Sequence, residues 1–132
     1  MTMNDDKPGP SGELILQVVP EPKDTNSNGD VYAGWLFNYM DQAAAYKAQA
    51  ISQGRAATVA VESMEFISPI RTGSQVAFYA RLVDIGTSSM KIYVEVWTKD
   101  RDKGTQRKVT ETLFVYVAID KNGRIREVPS QD

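Results

Sequence analysis

The chain has 132 residues, 42% of them hydrophobic and 24% charged, which is typical of one globular domain with a single core. Its formal net charge of −2 argues against a nucleic-acid partner, because such proteins usually carry a basic surplus. It contains no histidine and no cysteine, which excludes a Ser-His-Asp triad, a cysteine nucleophile and a zinc site of imidazole or thiolate ligands.

Both ends of the chain are predicted to lie outside the folded domain. Residues 1–12 are acidic, polar and rich in proline and glycine, so we expect a disordered tail and no signal peptide. A single domain is predicted over residues 13–129, followed by a short tail over 130–132. No apolar run is long enough to cross a bilayer, and the absence of cysteine suits the cytoplasm. We therefore expect a cytoplasmic protein without a membrane partner.

The first half of the chain is predicted to contain one strand and one long helix. The segment Glu13–Pro20 favours a strand, and residues 21–30 are dense in turn-forming residues. A helix is predicted from about Ala33 to Ser52, with Gly54 at its C′ position. Alanines in its second half favour helix and are small enough for close packing.

Four further strands are predicted after Gly54, separated by turn signals. They are Ala57–Ile67, Gln75–Ile85, Met90–Asp100 and Lys108–Asp120. Long strands joined by short turns favour an antiparallel meander. A single apolar helix would then pack against the concave face of this sheet. That is the hot-dog architecture, although cystatin-like and other α+β rolls use the same elements.

The junction between the loop and the helix carries a more specific pattern. It reads DTNSNGDVYAGWL over residues 24–36, with Met40-Asp41 shortly after it. Further segments are Gly54-Arg55, TVAVESM over 58–64, FISPI over 66–70, GTSS over 86–89 and FVYVAID over 114–120. In this order and spacing they resemble the bacterial YciA-like acyl-CoA thioesterases of the hot-dog superfamily. The resemblance covers about residues 13–129.

The resemblance implies a fold, an activity and an assembly. The fold is α+β, with a long central helix wrapped by a curved antiparallel sheet of about five strands. The activity is hydrolysis of acyl-CoA to a free acid and CoA, without metal or organic cofactor, CoA being part of the substrate and product. The assembly is a homodimer with a continuous sheet and active sites at the subunit interface, commonly built further into a trimer of dimers.

Asp41 is the candidate catalytic acid. It lies in the middle of the predicted helix, and none of its helical neighbours Phe37, Asn38, Ala44 and Ala45 is a cation, so an i,i+4 ion pair does not explain it. Partial desolvation by these neighbours would strengthen it as a base. By resemblance it is the essential acid of the family. The sequence leaves open whether it activates water or attacks the thioester directly.

Gly34 is the candidate oxyanion donor. First-turn N–H groups lack partners within a helix, and glycine allows a ligand to approach the backbone closely, although helix packing would also explain this glycine. Asp41 lies about two turns, roughly 10 Å, further along the same helix. The resemblance implies that the partner's helix runs antiparallel nearby. We therefore expect Asp41 of one chain to act with Gly34 of the other.

The remaining candidates would contact water or CoA. Asn28 could bind the thioester carbonyl or orient water, although loop chemistry explains it equally well. Thr58 could hold the attacking water, although a β-branched strand residue is the simpler account. Ser63 and Met64 would line the pantetheine channel or pack in the core. The candidates for the CoA nucleotide end are Arg71, Ser88, Ser89 and Lys91.

Two alternatives to a thioesterase follow from the same fold. One is a non-catalytic hot-dog module that binds acyl-CoA or a nucleotide, against which the presence of both Asp41 and Gly34 weighs. The other is a hot-dog dehydratase or hydratase. Those enzymes generally pair a histidine with an acid, and the lack of histidine nearly excludes them.

Overall fold

The structure is a computed structural model that describes residues 9–99 and 104–132. In chain order it contains β1 (Glu13–Val18), a 3-10 turn (Pro22–Asp24), α1 (Ala33–Ser52), β2 (Ala56–Val61), β3 (Gln75–Ile85), β4 (Ser89–Lys99) and β5 (Gln106–Ala118). The strands form one antiparallel sheet in the order β1-β3-β4-β5-β2, and α1 contacts all five. The predicted α+β fold, with one long helix against a five-stranded antiparallel sheet, is confirmed.

The core lies between α1 and the central strands. Every second side chain of β4 is fully buried, and these four are Met90, Ile92, Val94 and Val96. The facing side of α1 buries Leu36, Met40, Ala43, Ala44 and Ala48. The period of two in the strand and the small residues at helical spacing let the helix lie close to the sheet. Each side chain on this face therefore has a fixed neighbour on the opposite layer.

The predicted meander is correct for β3, β4 and β5 but wrong for β2. β2 pairs with β5 at one edge of the sheet, so the chain crosses to the far side before β3 begins. The predicted strand Ala57–Ile67 is wrong in its end, because the strand stops at Val61. Beyond it the contact with β5 is irregular: the hydroxyls of Thr112 and Thr110 donate to the carbonyls of residues 62 and 65 at 2.9 and 2.6 Å, between two remaining backbone bonds from residues 62 and 67.

Other predicted boundaries shift by one or two residues. The shifted ends are those placed at Pro20, Ala57, Met90, Lys108 and Asp120. The predicted end of β4, Asp100, lies outside the described residues. Such shifts are expected, because strand ends depend on the partner strand as well as on local sequence.

α1 spans the predicted residues Ala33–Ser52, and Gly54 follows the C-cap residue, as predicted. The C-cap residue itself, Gln53, takes the left-handed conformation, with φ of 56°. The side chain of Arg126 donates to the carbonyls of Ser52, Arg55 and Ile119 at 2.8 to 3.2 Å. A Cβ at Gly54 would lie 2.7 Å from that guanidinium. Gly54 therefore allows a cation to satisfy the carbonyls at the end of the helix.

The predicted tails remain predictions. Residues 1–8 lie outside the described part of the chain. Ser11, within the predicted tail, donates from its N–H and its hydroxyl to the buried carboxylate of Glu95, at 3.3 and 2.7 Å. At the other end, the Gln131 side chain donates to the carbonyl of Ile51. No helix within 9–99 and 104–132 has the length and apolar character needed to span a bilayer.

Candidate active site

Asp41 accepts two hydroxyl hydrogen bonds in the middle of α1. Its Oδ1 accepts one from Thr58 Oγ1 of β2 at 2.9 Å and one from the phenol of Tyr116 of β5. The same phenol oxygen lies 2.9 Å from the backbone carbonyl of Asp41, so its single proton is shared between that carbonyl and Oδ1. Within residues 9–99 and 104–132, Oδ2 accepts no hydrogen bond and the carboxylate forms no ion pair. The half-buried carboxylate thus has one anchored oxygen and one free oxygen.

The strand register explains why two hydroxyls meet at one helical residue. Thr58 and Tyr116 are direct partners in the antiparallel ladder of β2 and β5. Partners in such a ladder point to the same face of the sheet, which here is the face that α1 covers. Asp41 follows the buried Met40 and lies at the margin of the apolar stripe, where its carboxylate reaches both hydroxyls. The sequence analysis identified Asp41 and Thr58 but missed this geometry.

Tyr116 is a member of the Asp41 cluster that the sequence analysis missed. Its side chain is fully buried, on a face shared with the apolar Phe114 and Ala118. Burial, and then the hydrogen bond to Asp41, raise the pKa of Tyr116 far above its usual value, so the phenol stays protonated and donates. A tyrosine among inward-facing apolar residues of a strand was the available signal, because a buried phenol usually has a polar partner.

Gly34 presents an open backbone donor. It is the second residue of α1 and is exposed, and the first N–H bonds of the helix come from Trp35 and Leu36 to the carbonyl of Tyr32, at 3.1 and 3.4 Å. In the described part of the chain the Gly34 N–H donates no hydrogen bond. A Cβ at Gly34 would meet nothing within 4 Å. The amide is therefore free to bind a ligand, about two turns from Asp41 of the same chain.

A cavity of about 310 Å³ lies beside this first turn. Its lining is mainly apolar and includes Tyr32, Ala33, Leu36, Ile70, Val109 and the segment 66–69. At its rim Arg71 forms an ion pair with Asp30 at 3.3 Å and donates to the carbonyl of Asn28. The cavity is thus an apolar space bordered by one charged pair.

The predicted loop residue Asn28 lies near Arg71. The N–H of Asn28 donates to Asn26 Oδ1 at 2.8 Å, and the N–H of Asp30 donates to the same oxygen. The side chain of Asn28 is exposed and forms no hydrogen bond in the described part of the chain. The side chain of Asn26 therefore stabilises the turn, whereas the side-chain amide of Asn28 is accessible to a ligand.

The four predicted CoA contacts do not meet in one protomer. Arg71 precedes β3, whereas the other three predicted contacts follow it, at the turn into β4: Ser88, Ser89 and Lys91. The 11 residues of β3 separate the two groups by roughly 30 Å. The backbones of Ser88 and Ser89 form turn hydrogen bonds to Ala118 and Gly86, and Lys91 is exposed.

Ser63 and Met64 differ in their surroundings. Met64 is half-buried and packs against the core. Ser63 lines a second cavity of about 320 Å³ with Glu62, Glu65 and Glu111, where negative charge would disfavour a phosphate. Within residues 9–99 and 104–132, no group of three or more acidic side chains is arranged to hold a metal ion.

Family comparison agrees with this fold. The profile of the Thioesterase superfamily matches residues 28–105, which include Gly34, Asp41 and Thr58. The chain therefore belongs to the thioesterase superfamily. Within it, the chain is similar to "Acyl-CoA thioester hydrolase YciA" of Salmonella typhimurium, with 46% identity over 125 residues, 92% of this chain and 94% of the relative. It is 44% identical over 124 residues to an "Uncharacterized acyl-CoA thioester hydrolase" of Haemophilus influenzae, covering 92% of this chain and 80% of that protein. The predicted YciA-like resemblance is confirmed.

Solved structures show the same similarity. The hexameric thioesterase y2039 from Yersinia pestis has a TM-score of 0.87 and 45% identity, covering 92% of this chain and 98% of that one. HI0827, described as a hexameric broad specificity acyl-coenzyme A thioesterase, has a TM-score of 0.88 and 42% identity, covering 96% and 88%. A mutant of HI0827 with alanine in place of one aspartate has also been solved.

Proposed function

We propose that this chain hydrolyses acyl-CoA thioesters to the free acid and CoA, without metal or organic cofactor. Membership of the YciA-like acyl-CoA thioester hydrolases makes it an enzyme of this class. The observation that carries the assignment of the site is the Asp41 carboxylate, which Thr58 and Tyr116 hold by one oxygen while the other stays free. A carboxylate without a cationic partner, anchored by hydroxyl donors, is suited to act on water or on a thioester.

Two routes are open to Asp41, and both convert the thioester and one water into the free acid and CoA. As a base, the carboxylate takes a proton from water while the water oxygen adds to the thioester carbon. The C–S bond then breaks, and the CoA sulfur takes up the proton. As a nucleophile, the carboxylate adds to the carbon and expels CoA thiolate, and water then hydrolyses the resulting anhydride. Both routes place negative charge on the carbonyl oxygen, which needs a donor.

The Gly34 amide is the proposed donor, supplied by the partner protomer. It is unpaired, open to a ligand and at the positive end of the helix dipole. Its separation of about 10 Å from Asp41 of the same chain is too long for one carbonyl to touch both groups. A second copy that pairs at the β2 edge would lie beside Asp41, because Thr58 belongs to that edge strand and Val59 is 56% exposed there.

We propose that this dimer assembles further into a trimer of dimers. The support is that y2039 and HI0827, which share at least 42% identity with this chain, are described as hexamers. A CoA molecule that reached both Arg71 and Lys91 would also have to bridge protomers, since roughly 30 Å separates those residues in one chain. We propose Asn28, Arg71, Ser88, Ser89 and Lys91 as its contacts on different protomers.

The test is release of CoA from acyl-CoAs of different chain lengths, measured with a thiol reagent. The chain has no cysteine, so the reagent reports only the product. Asp41→Asn keeps the shape of the side chain but removes its charge, and we expect kcat to fall by about 10³-fold or more. Asp84→Asn is the control, because Asp84 is an exposed acid of β3 without an ion pair in the described residues.

Each outcome separates the proposed enzyme from the binding module. Turnover that Asp41→Asn abolishes and Asp84→Asn retains supports hydrolysis at Asp41. Turnover that survives in Asp41→Asn contradicts the assigned site. Wild-type protein that binds CoA but releases no thiol from any chain length favours the non-catalytic module.

A further inference from the structure

The phenol of Tyr116 makes its polar contacts with Asp41 and with Thr58, its neighbour on the paired strand. Its side chain is fully buried and packs at 6.3 Å between ring centroids against Phe114, so a phenylalanine would fill most of the same space. The hydroxyl has a single proton, which the carboxylate and the backbone carbonyl of Asp41 share as acceptors. A buried hydroxyl has to be bonded to offset its desolvation, and here both acceptors of its proton belong to one residue.

The backbone carbonyl and Oδ1 of Asp41 both contact the phenol, and together these contacts fix the orientation of the carboxylate relative to the helix. The carbonyl of Asp41 belongs to the rigid helix, and the carboxylate ends a side chain with two rotatable bonds. A phenol that contacts both ties the carboxylate to the helix, while Thr58 Oγ1 holds the same Oδ1 from the other strand at 2.9 Å. Donors from β2 and β5 therefore restrict both torsions of the side chain.

We propose that Tyr116 is a positioning residue that anchors Oδ1 of Asp41, so that Oδ2 is the oxygen that reacts. This rests on the proposed role of Asp41 in thioester hydrolysis. Oδ1 is already in contact with two hydroxyl donors, Thr58 and Tyr116, which occupy the space around it. Oδ2 is free within the described residues, so it takes the proton from water or forms the bond to the thioester carbon. Tyr116 itself neither gains nor loses a proton in either route.

The roles of the two donors are distinct. Thr58 is exposed in the protomer, at the edge strand, whereas Tyr116 approaches from the buried side. Loss of Thr58 still leaves the carboxylate tied to the helix through the phenol. Loss of Tyr116 leaves it held by a single hydroxyl from a strand at the edge of the sheet. We therefore expect the larger effect from Tyr116.

The test compares Tyr116→Phe with Tyr39→Phe in the full-length enzyme. Tyr39 is a matched control because it packs in the core against Trp35 and Phe78, and its hydroxyl forms no hydrogen bond within the described residues. We expect Tyr116→Phe to lower kcat by about 10- to 100-fold, with KM changed by less than about twofold, because a misaligned carboxylate affects the chemical step. Tyr39→Phe keeps kcat within about twofold.

A purely structural role predicts different results. It would lower the melting temperature of Tyr116→Phe but leave kcat per folded molecule unchanged, and that result would overturn the proposal. Placing 4-aminophenylalanine at position 116 restores an N–H donor in the same place, and we expect it to recover most of kcat. Activity that survives in Asp41→Asn defeats the proposed function itself, whereas full activity in Tyr116→Phe beside a dead Asp41→Asn defeats only the positioning role.

A second measurement does not depend on the folding of Tyr116→Phe. In enzyme labelled with ¹³C at tyrosine Cζ, the chemical shift of Tyr116 reports the ionisation of its phenol. We expect that ionisation at higher pH than for a free phenol, because burial and Asp41 both favour the protonated form. Asp41→Asn should move this ionisation to lower pH. An ionisation that is the same in both proteins would show that the phenol does not donate to the carboxylate, which overturns the proposal.

Discussion

The middle and the start of α1 are prepared for a ligand in different ways. At the middle, Asp41 lies among side chains that one protomer supplies in full, with donors from two strands. At the start, Gly34 offers an amide that no described group binds and a surface that nothing within 4 Å covers. The proposed acid therefore has its hydroxyl partners within one chain, while the proposed oxyanion donor has none among the described residues. If the proposal is correct, assembly controls the site by bringing Gly34 of a partner to Asp41.

The largest expected effect is recovery of activity in mixed dimers. Asp41→Asn and Gly34→Pro should each be nearly inactive alone, since proline removes the N–H, and loss of one oxyanion donor costs about 10²- to 10³-fold in kcat. If the site uses Asp41 of one chain and Gly34 of the other, a mixed dimer has one intact site. Random exchange of equal amounts should then restore about a quarter of wild-type kcat, measured as CoA release.

The control for this experiment is Gly34→Ala, which keeps the N–H. In the protomer its Cβ meets open space, and it should stabilise the helix by up to about 1 kcal/mol. Proline is tolerated in the first turn of a helix, so both variants should fold, as circular dichroism and thermal unfolding can verify. Equal losses of kcat in Gly34→Ala and Gly34→Pro would indicate that the site requires the absence of a side chain at position 34 and not the N–H. No recovery in mixed dimers would place both groups within one chain.

A smaller expected effect is a loss of stability at alkaline pH, which tests the contact between Tyr116 and Asp41 at the middle of α1. The pKa of Tyr116 is higher in the folded chain than in the unfolded one, where it is about 10. Below that pH both states hold the proton and the full stabilisation is present. Above it only the unfolded state releases the proton, so the free energy of unfolding falls by up to about 1.4 kcal/mol per pH unit.

Tyr116→Phe lacks this ionisation, which makes it the reference. Urea unfolding from about pH 9 to about pH 11, at one protein concentration, should show the stability advantage of wild type over Tyr116→Phe shrinking as pH rises. A constant difference over that range would contradict a phenol held protonated by burial and by Asp41.

The smallest expected effect concerns CoA and extends the comparison to the ends of the sheet. Lys91 is exposed and forms no ion pair in the described part of the chain, whereas Arg71 already pairs with Asp30. We expect Lys91→Gln to raise KM by about two- to fivefold at low salt, with kcat unchanged, and salt to reduce the difference. Lys99→Gln, at the other end of β4, is the control. An equal change in both variants would indicate a general charge effect.

Most of the fold could be predicted because the relevant signals are local. Alternation in β3, β4 and β5 and the alanine-rich run of α1 are periodic over one element, and each element formed within two residues of its prediction. The position of β2 could not be predicted in this way. Its end at Val61 and its place beside β5 depend on Thr110 and Thr112, about 50 residues away. Strand order is a property of pairing between distant segments.

The candidate site divides along the same line. Asp41 and Gly34 stand out in the sequence because an unpaired acid in a helix and a glycine in a first turn are unusual in local terms. Arg71 and Lys91 were predicted together as CoA contacts, and only the strand arrangement shows that a full strand separates them within one protomer. The contact of Arg126 with the carbonyl of Ser52 at the helix end likewise depends on a segment 74 residues away.

The sequence by itself therefore determined the helix and the alternating strands and indicated the two candidate site residues, because propensity and periodicity act between near neighbours. Only the tertiary structure decided which hydroxyls reach Asp41. Tyr116 lies 75 residues from Asp41 along the chain, and it meets the carboxylate because β5 pairs with β2 beneath α1. A hydrogen bond requires the donor and acceptor atoms to be placed to within a few tenths of an ångström. The packing of the whole sheet sets their separation.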